Sequence, residues 1–180
     1  MSAEGLHSGR LRRIVLIGFR GAGKSTLAAA LARRLHWPLY ATDRLIEQRS
    51  GLPIAQIVAR YGWPRFRALE REIVGSLPEA APCIVDCGGG VVESAENLPR
   101  LQKNALVVWV DAPEPVLLER LAGQPSGRPL LSESDLRTDL QQNYRRRLPL
   151  YRALSHLRVD TAKQSVEACC ETILKHLEQS

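Results

Sequence analysis

Gly18-Phe19-Arg20-Gly21-Ala22-Gly23-Lys24-Ser25 fits the pattern G-x-x-x-x-G-K-[ST] at every fixed position. Its flanks are the ones the pattern needs. Ile14-Val15-Leu16-Ile17 before it reads as a buried strand, and Thr26 to Leu35 after it reads as a helix. The glycines let the backbone wrap closely, so that N–H groups around Gly21, Ala22 and Gly23 face phosphate oxygens, aided by the positive end of the helix that Thr26 continues. Lys24 is placed to reach the β- and γ-phosphates of a nucleotide, and the Ser25 hydroxyl to ligate Mg²⁺.

Outward from this loop, apolar runs and helical patterns alternate. Strands are expected at Pro38–Ala41, Cys83–Asp86, Ala105–Val110 and Leu157–Asp160. Helices are expected from Asp43 to Arg49, Ile54 to Tyr61, Pro64 to Leu77, Glu114 to Ala122, Ser134 to Arg147 and Val166 to Leu177. Five βα units predict an α/β fold, a five-stranded parallel sheet sandwiched by helices in three layers. Two insertions interrupt it: a helical cap over residues 43–71 that would cover a substrate, and a Gly/Pro-rich stretch, 123–133, that reads as a mobile lid. The whole, 1–180, reads as one domain, with residues 1–12 a loose tail that lacks the apolar core of a secretory signal.

Composition narrows the partners. A hydrophobic fraction of 44% and a charged fraction of 24% belong to a globular protein. No apolar run approaches the roughly 20 residues that span a bilayer. The net charge is +6, but the arginines are scattered with few aromatics between them, which favours a small anionic substrate in a cleft over nucleic acid. Cys83, Cys87, Cys169 and Cys170 lack zinc-site spacing and read as reduced thiols, consistent with a cytoplasmic protein.

Ligands of parallel sheets bind beyond the carboxyl ends of the strands. There lie Asp43, the Arg67/Glu70 pair, Gly88-Gly89-Gly90, Arg128 and the run Arg145-Arg146-Arg147. Each has a plainer alternative. Asp43 could cap a helix, and Arg67 and Glu70 could be a surface i, i+3 pair. The triple glycine could be only a turn, and two of the three arginines could line a solvated face.

Taken in order, Phe66-Arg67-x-x-Glu70, the triple glycine, Arg128-Pro129-Leu130-Leu131 and Arg147-x-Pro149-x-Tyr151 resemble shikimate kinase, over about Ile14 to Leu177. The resemblance implies ATP and Mg²⁺ as cofactors, shikimate as acceptor, a monomer, and phosphorylation of the 3-hydroxyl. It assigns the acceptor's carboxylate to Arg67 and Arg147, with Glu70 orienting Arg67, and its ring hydroxyls and attacking proton to Asp43. It implies that Gly88, Gly89 and Gly90 allow close approach of the ring, that Arg128 closes on the phosphates, and that Arg120 stacks on adenine opposite the 160–165 loop. A gluconate-type kinase and a catalytically silent ligand-binding regulator are the competing readings.

The chain departs from the family's pattern twice. Ala41, in Ala41-Thr42-Asp43, stands where the family usually carries the first carboxylate of Asp-x-Asp, which helps hold Mg²⁺. Asp86, at the end of a buried strand beside the phosphate loop, is expected to replace it. Gly62-Trp63-Pro64 replaces the usual Gly-Glu ahead of Phe66-Arg67, so Trp63 either tightens the cap or alters the acceptor pocket.

Overall fold

The structure, a computed structural model, describes residues 11–123 and 135–179. Five parallel strands form one sheet in the order β2-β3-β1-β4-β5: β1 Arg13–Ile17, β2 Leu39–Ala41, β3 Cys83–Asp86, β4 Ala105–Asp111 and β5 Leu157–Asp160. The strands β1, β3 and β4 are buried along their whole length, as sheets covered on both faces require. Each fully buried aliphatic side chain there contributes about 1.5–3 kcal/mol over its exposed state. The helices α1 (Lys24–Leu35), α5 (Glu114–Ala122), α6 (Leu136–Leu154) and α7 (Val166–Glu178) pack around the sheet, α1 against α7 and α5 against α6. A short helix α4 (Leu98–Gln102) precedes β4, and a 3-10 turn spans Val91–Glu93.

Arg13 is an unexpected buried residue, at the start of β1. Its Nη1 donates to the carbonyls of Arg100 and Lys103 at 2.9 and 3.0 Å, closing the carboxyl end of α4. At the edge of the expected loose tail, Leu11 packs on the core and Arg12 N donates to Asn104 O at 3.1 Å. The rest of that tail lies outside the described residues, as does all of the expected lid beyond Gly123.

A second apolar cluster stands apart from the sheet's core. Ile46, Ile54, Ile57, Phe66, Leu69 and Ile73 join α2 (Thr42–Ser50) to α3 (Ile54–Ser76). Glu47 Oε1 accepts from Ile54 N at 3.0 Å and fixes the turn between them. The two helices expected at 54–61 and 64–77 run on as α3 with a kink at Gly62, whose φ of 75° and ψ of 170° are open only to glycine. Pro64 then starts the second half, where its missing N–H costs nothing.

One helix is longer than the sequence suggests. α6 passes through Pro149 to Leu154 instead of ending near Arg147. Pro149 and Arg145 are exposed, so water can satisfy the carbonyl that loses its N–H, while Tyr151 and Leu154 bury beyond it.

Gly62→Ala should destabilise the fold by about 1–3 kcal/mol, lowering the thermal midpoint by roughly 2–10 °C. An unchanged melting curve would show that the kink does not need a positive φ.

Candidate active site

The phosphate loop joins β1 to α1 with Gly23 as the left-handed N-cap. Lys24 is buried at the first helical position and its Nζ donates to Phe19 O at 3.0 Å, across the mouth of the loop. Ser25 Oγ donates to Asp86 Oδ2 at 2.6 Å. Asp86 ends β3, and in the β2–β3 pairing its Cα partner is Ala41. A carboxylate therefore stands beside the position that lacks one, one strand over at the same level.

Arg120, from α5, holds the other side of the loop. Its Nη1 donates to Gly21 O at 3.1 Å and to Thr161 Oγ1 at 3.0 Å, and its Nη2 donates to Thr161 O at 3.1 Å. The Thr161 hydroxyl in turn donates to Ala22 O at 2.8 Å. These bonds fix the guanidinium between the phosphate loop and the β5–α7 loop. Arg20 ties the loop to α6 through the buried Asp139 at 2.6 Å.

Gly21, Gly23, Lys24, Ser25, Thr26, Asp43, Asp86 and Arg120 share the wall of one cavity of about 1200 Å³. Asp43 lies inside the first turn of α2 whose N-cap is Ala41, so it does not cap that helix. The neighbouring Thr42 is buried, and its Oγ1 accepts from Gly88 N at 2.9 Å, tying α2 to the triple glycine. Cys87 also reaches this wall. Burial first, then the charges of Asp86, Glu70 and Asp43, push its thiol well up, so it stays protonated.

Beside the cavity, the triple glycine meets two guanidinium groups. Arg67 Nη1 donates to Glu70 Oε2 at 2.7 Å, and Glu70 is fully buried, so this is no ordinary surface pair. A Cβ on Gly90 would fall 2.2 Å from Arg67 Nη2, and one on Gly89 would fall 3.7 Å from Arg147 Nη1. Arg147 is buried, while Arg145 and Arg146 are exposed. One turn on from Arg147, Tyr151 donates its hydroxyl to Gly89 O and stacks on Trp109 with centroids 6.2 Å apart. Burial raises the Tyr151 phenol and keeps it a donor. Trp63 lies edge-on to Phe66 at 5.6 Å, and the Arg67 guanidinium sits 5.7 Å from the Trp63 ring centre. Trp63 thus packs the cap and backs Arg67.

The sequence does not reveal Glu93. Its Oε2 accepts from Arg147 Nη2 at 2.8 Å and Arg67 Nη2 at 3.3 Å, and its Oε1 lies 2.7 Å from Arg146 Nη2. Burial alone would raise its pKa, but Arg147, Arg146 and Arg67 outweigh it and hold the carboxyl below the ordinary range. Arg128 lies outside the described residues.

The shikimate kinase family model matches residues 20–178. The chain belongs to the shikimate kinase family. A curated shikimate kinase from Syntrophus aciditrophicus is 35% identical over 178 residues, covering 93% of this chain and 91% of that one. The structure of an Acinetobacter baumannii shikimate kinase in complex with shikimate superposes with a TM-score of 0.89 at 27% identity, covering 99% of this chain and 98% of the other. A Sinorhizobium meliloti gluconokinase, at 17% identity and a TM-score of 0.54, shares the fold alone. As a member of the shikimate kinase family, the chain is an ATP-using kinase, and its five-stranded parallel sheet is the family's fold.

Gly90→Ala should fold, because the far end of the Arg67 side chain yields before backbone does. It should weaken binding of a carboxylate acceptor by about tenfold or more, since a misplacement near 1 Å suffices for that. Calorimetric titration checks this, with ADP affinity held within about twofold as the control for a local effect.

Proposed function

We propose that this chain transfers the γ-phosphoryl group of ATP to the 3-hydroxyl of shikimate, giving shikimate 3-phosphate and ADP. The observation that carries the proposal is the arginine pair, Arg67 and Arg147, set over Gly89 and Gly90 beside the phosphate loop. A planar guanidinium grips a carboxylate in a two-pronged way, and two of them define one end of a ring acid.

The rest of the machinery follows from what each side chain can do. Backbone N–H groups of Gly21, Ala22, Gly23 and Lys24 receive the phosphates, and Lys24 exchanges the Phe19 carbonyl for the β- and γ-phosphate oxygens. Asp43 orients the ring hydroxyl and accepts its proton as the oxygen attacks phosphorus and the bond to ADP breaks. Gly88, Gly89 and Gly90 form the floor under the ring. Arg120 is fixed at the cavity wall as the partner of adenine, and Arg128 is assigned to the phosphates from the sequence alone. The acceptor binds under the cap, and exclusion of water, which would otherwise take the phosphoryl group, is assigned to the 123–133 stretch from the sequence alone.

Ser25 and Asp86 fit a Mg²⁺ ion. The Ser25 hydroxyl would be a hard oxygen donor to it, and Asp86, which accepts from that hydroxyl, would act from the ion's outer shell. The ion, when bound, neutralises charge on the phosphates. Asp86 is the replacement for the carboxylate absent at Ala41, supported by their pairing across β2 and β3.

We further propose a cytoplasmic monomer without a nucleic-acid partner. Exposed arginines on the cap such as Arg49 and Arg65 face Glu72 at 3.9 Å, which leaves less unpaired positive charge there for a polyanion. Among the described residues no helix is long and apolar enough to cross a membrane.

ADP release with MgATP should depend on shikimate and not on gluconate, and Lys24→Ala should lower turnover by a factor of about 10²–10³. Saturable shikimate binding with no turnover would instead indicate a silent regulator. In Asp86→Asn, the Mg²⁺ concentration that half-maximally strengthens ADP binding should rise about tenfold, with shikimate affinity changed less than about twofold. An unaltered Mg²⁺ titration would remove Asp86 from the ion's shell.

A further inference from the structure

Glu93 sits where an acceptor's carboxylate belongs. Arg67 has two holders: buried Glu70 on Nη1 and Glu93 on Nη2. Glu70 is fully enclosed and cannot leave, whereas the Glu93 side chain keeps 21% of its surface and faces the accessible side. One oxygen of Glu93 spans Arg67 and Arg147, the two groups assigned to the ligand's carboxylate. Its other oxygen is already on Arg146, which is 60% exposed and also donates to Asn143 Oδ1 at 2.7 Å. Among the described residues three arginines, Arg67, Arg146 and Arg147, pair here with two glutamates, Glu70 and Glu93, an arrangement that suits an incoming anion.

We propose that Glu93 is a resident carboxylate that holds the seat between Arg67 and Arg147, and that a ligand's carboxylate takes this seat by displacing Glu93 onto Arg146. The inference rests on the reading that Arg67 and Arg147 grip the acceptor. It makes Glu93 a specificity-determining residue. In the absence of ligand it keeps two like charges together over the glycine floor. A carboxylate replaces it charge for charge, and a neutral ring polyol has nothing to exchange. Occupation of the seat by Glu93 lowers apparent affinity by the fraction of molecules in which the seat is free.

The alternative part for Glu93 is support, with the acceptor adding to an arginine frame that Glu93 builds. The two parts differ in sign. Removing a support weakens binding, while removing a competitor tightens it, and a merely structural defect does not tighten binding at all.

The test is calorimetric binding to the full chain, without nucleotide, of three probes: shikimate, cyclohexanecarboxylate and the neutral cyclohexane-1,2,3-triol. Glu93→Gln keeps the side chain's volume and removes its charge. It should bind both carboxylates about five- to tenfold more tightly than the parent chain, with triol affinity unaltered. Arg146→Gln, an exposed change that spares the fold, removes the parking partner and should weaken both carboxylates about threefold. Weaker or equal carboxylate binding in Glu93→Gln, or an equal gain for the triol, would overturn the proposal. Should Glu93→Gln not fold, strengthened carboxylate binding in Arg146→Gln would overturn it as well. If the parent chain bound no shikimate while Glu93→Gln gained affinity for cyclohexanecarboxylate, the displacement would stand and the choice of acceptor would fall.

Discussion

The parallel pairing of β1 with β3 is the constraint on which the site depends. Leu16 lies opposite Asp86, and Cys87 N donates to Leu16 O at 3.1 Å, so the pairing persists to the last residue of β3 and the last but one of β1. Two glycine loops then leave adjacent strands at one level. A Cβ on Gly89 would stand 3.4 Å from Gly18 O and 3.5 Å from Arg20 N, a measure of how closely the loops touch. The phosphate end and the acceptor end of the proposed reaction are thus set by sheet hydrogen bonds rather than by flexible side chains. A slip of one residue in this register would turn every strand side chain to the opposite face and separate Ser25 from Asp86.

Charge is organised around that backbone. The phosphate side is built from peptide N–H groups and Lys24. The proposed acceptor side is built from arginines whose partners are internal carboxylates: Glu70 for Arg67, and Glu93 for Arg67 and Arg147. Buried guanidinium groups left without such partners would be costly, and the partners also fix where the donors point. Ala41 and Asp86 show the same economy across two strands. In the proposed exchange the carboxylate is attached to a different backbone position, and the sheet sets that position opposite Ala41, with its oxygen on Ser25.

Much of this was legible in the sequence, for physical reasons that differ by element. The strands are continuous apolar runs because both faces of a parallel sheet are covered, and such runs stand out. The phosphate loop is legible because its fixed residues are confined to eight consecutive positions, although the side chains that brace it come from far along the chain. Arg67 and Glu70 are three apart on one helix face, so spacing alone pairs them. Glu93 carried no such signal, since its arginine partners lie 26 and 54 residues away and only the fold brings them in. The extension of α6 past Pro149 was hidden for the opposite reason: a strong local breaker was overruled by burial of Tyr151 and Leu154. Asp43 was legible as a candidate and lines the cavity wall, but that Ala41 and not Asp43 is the N-cap of α2 follows only from the backbone.

A crystal structure of the chain with ADP, Mg²⁺ and shikimate tests the central claim most directly. The account predicts the ring carboxylate between Arg67 and Arg147 above Gly89 and Gly90, with a ring hydroxyl turned toward Asp43 and the phosphate loop. Shikimate bound with its carboxylate on other residues, or with its hydroxyls turned away from the phosphate loop, would contradict it.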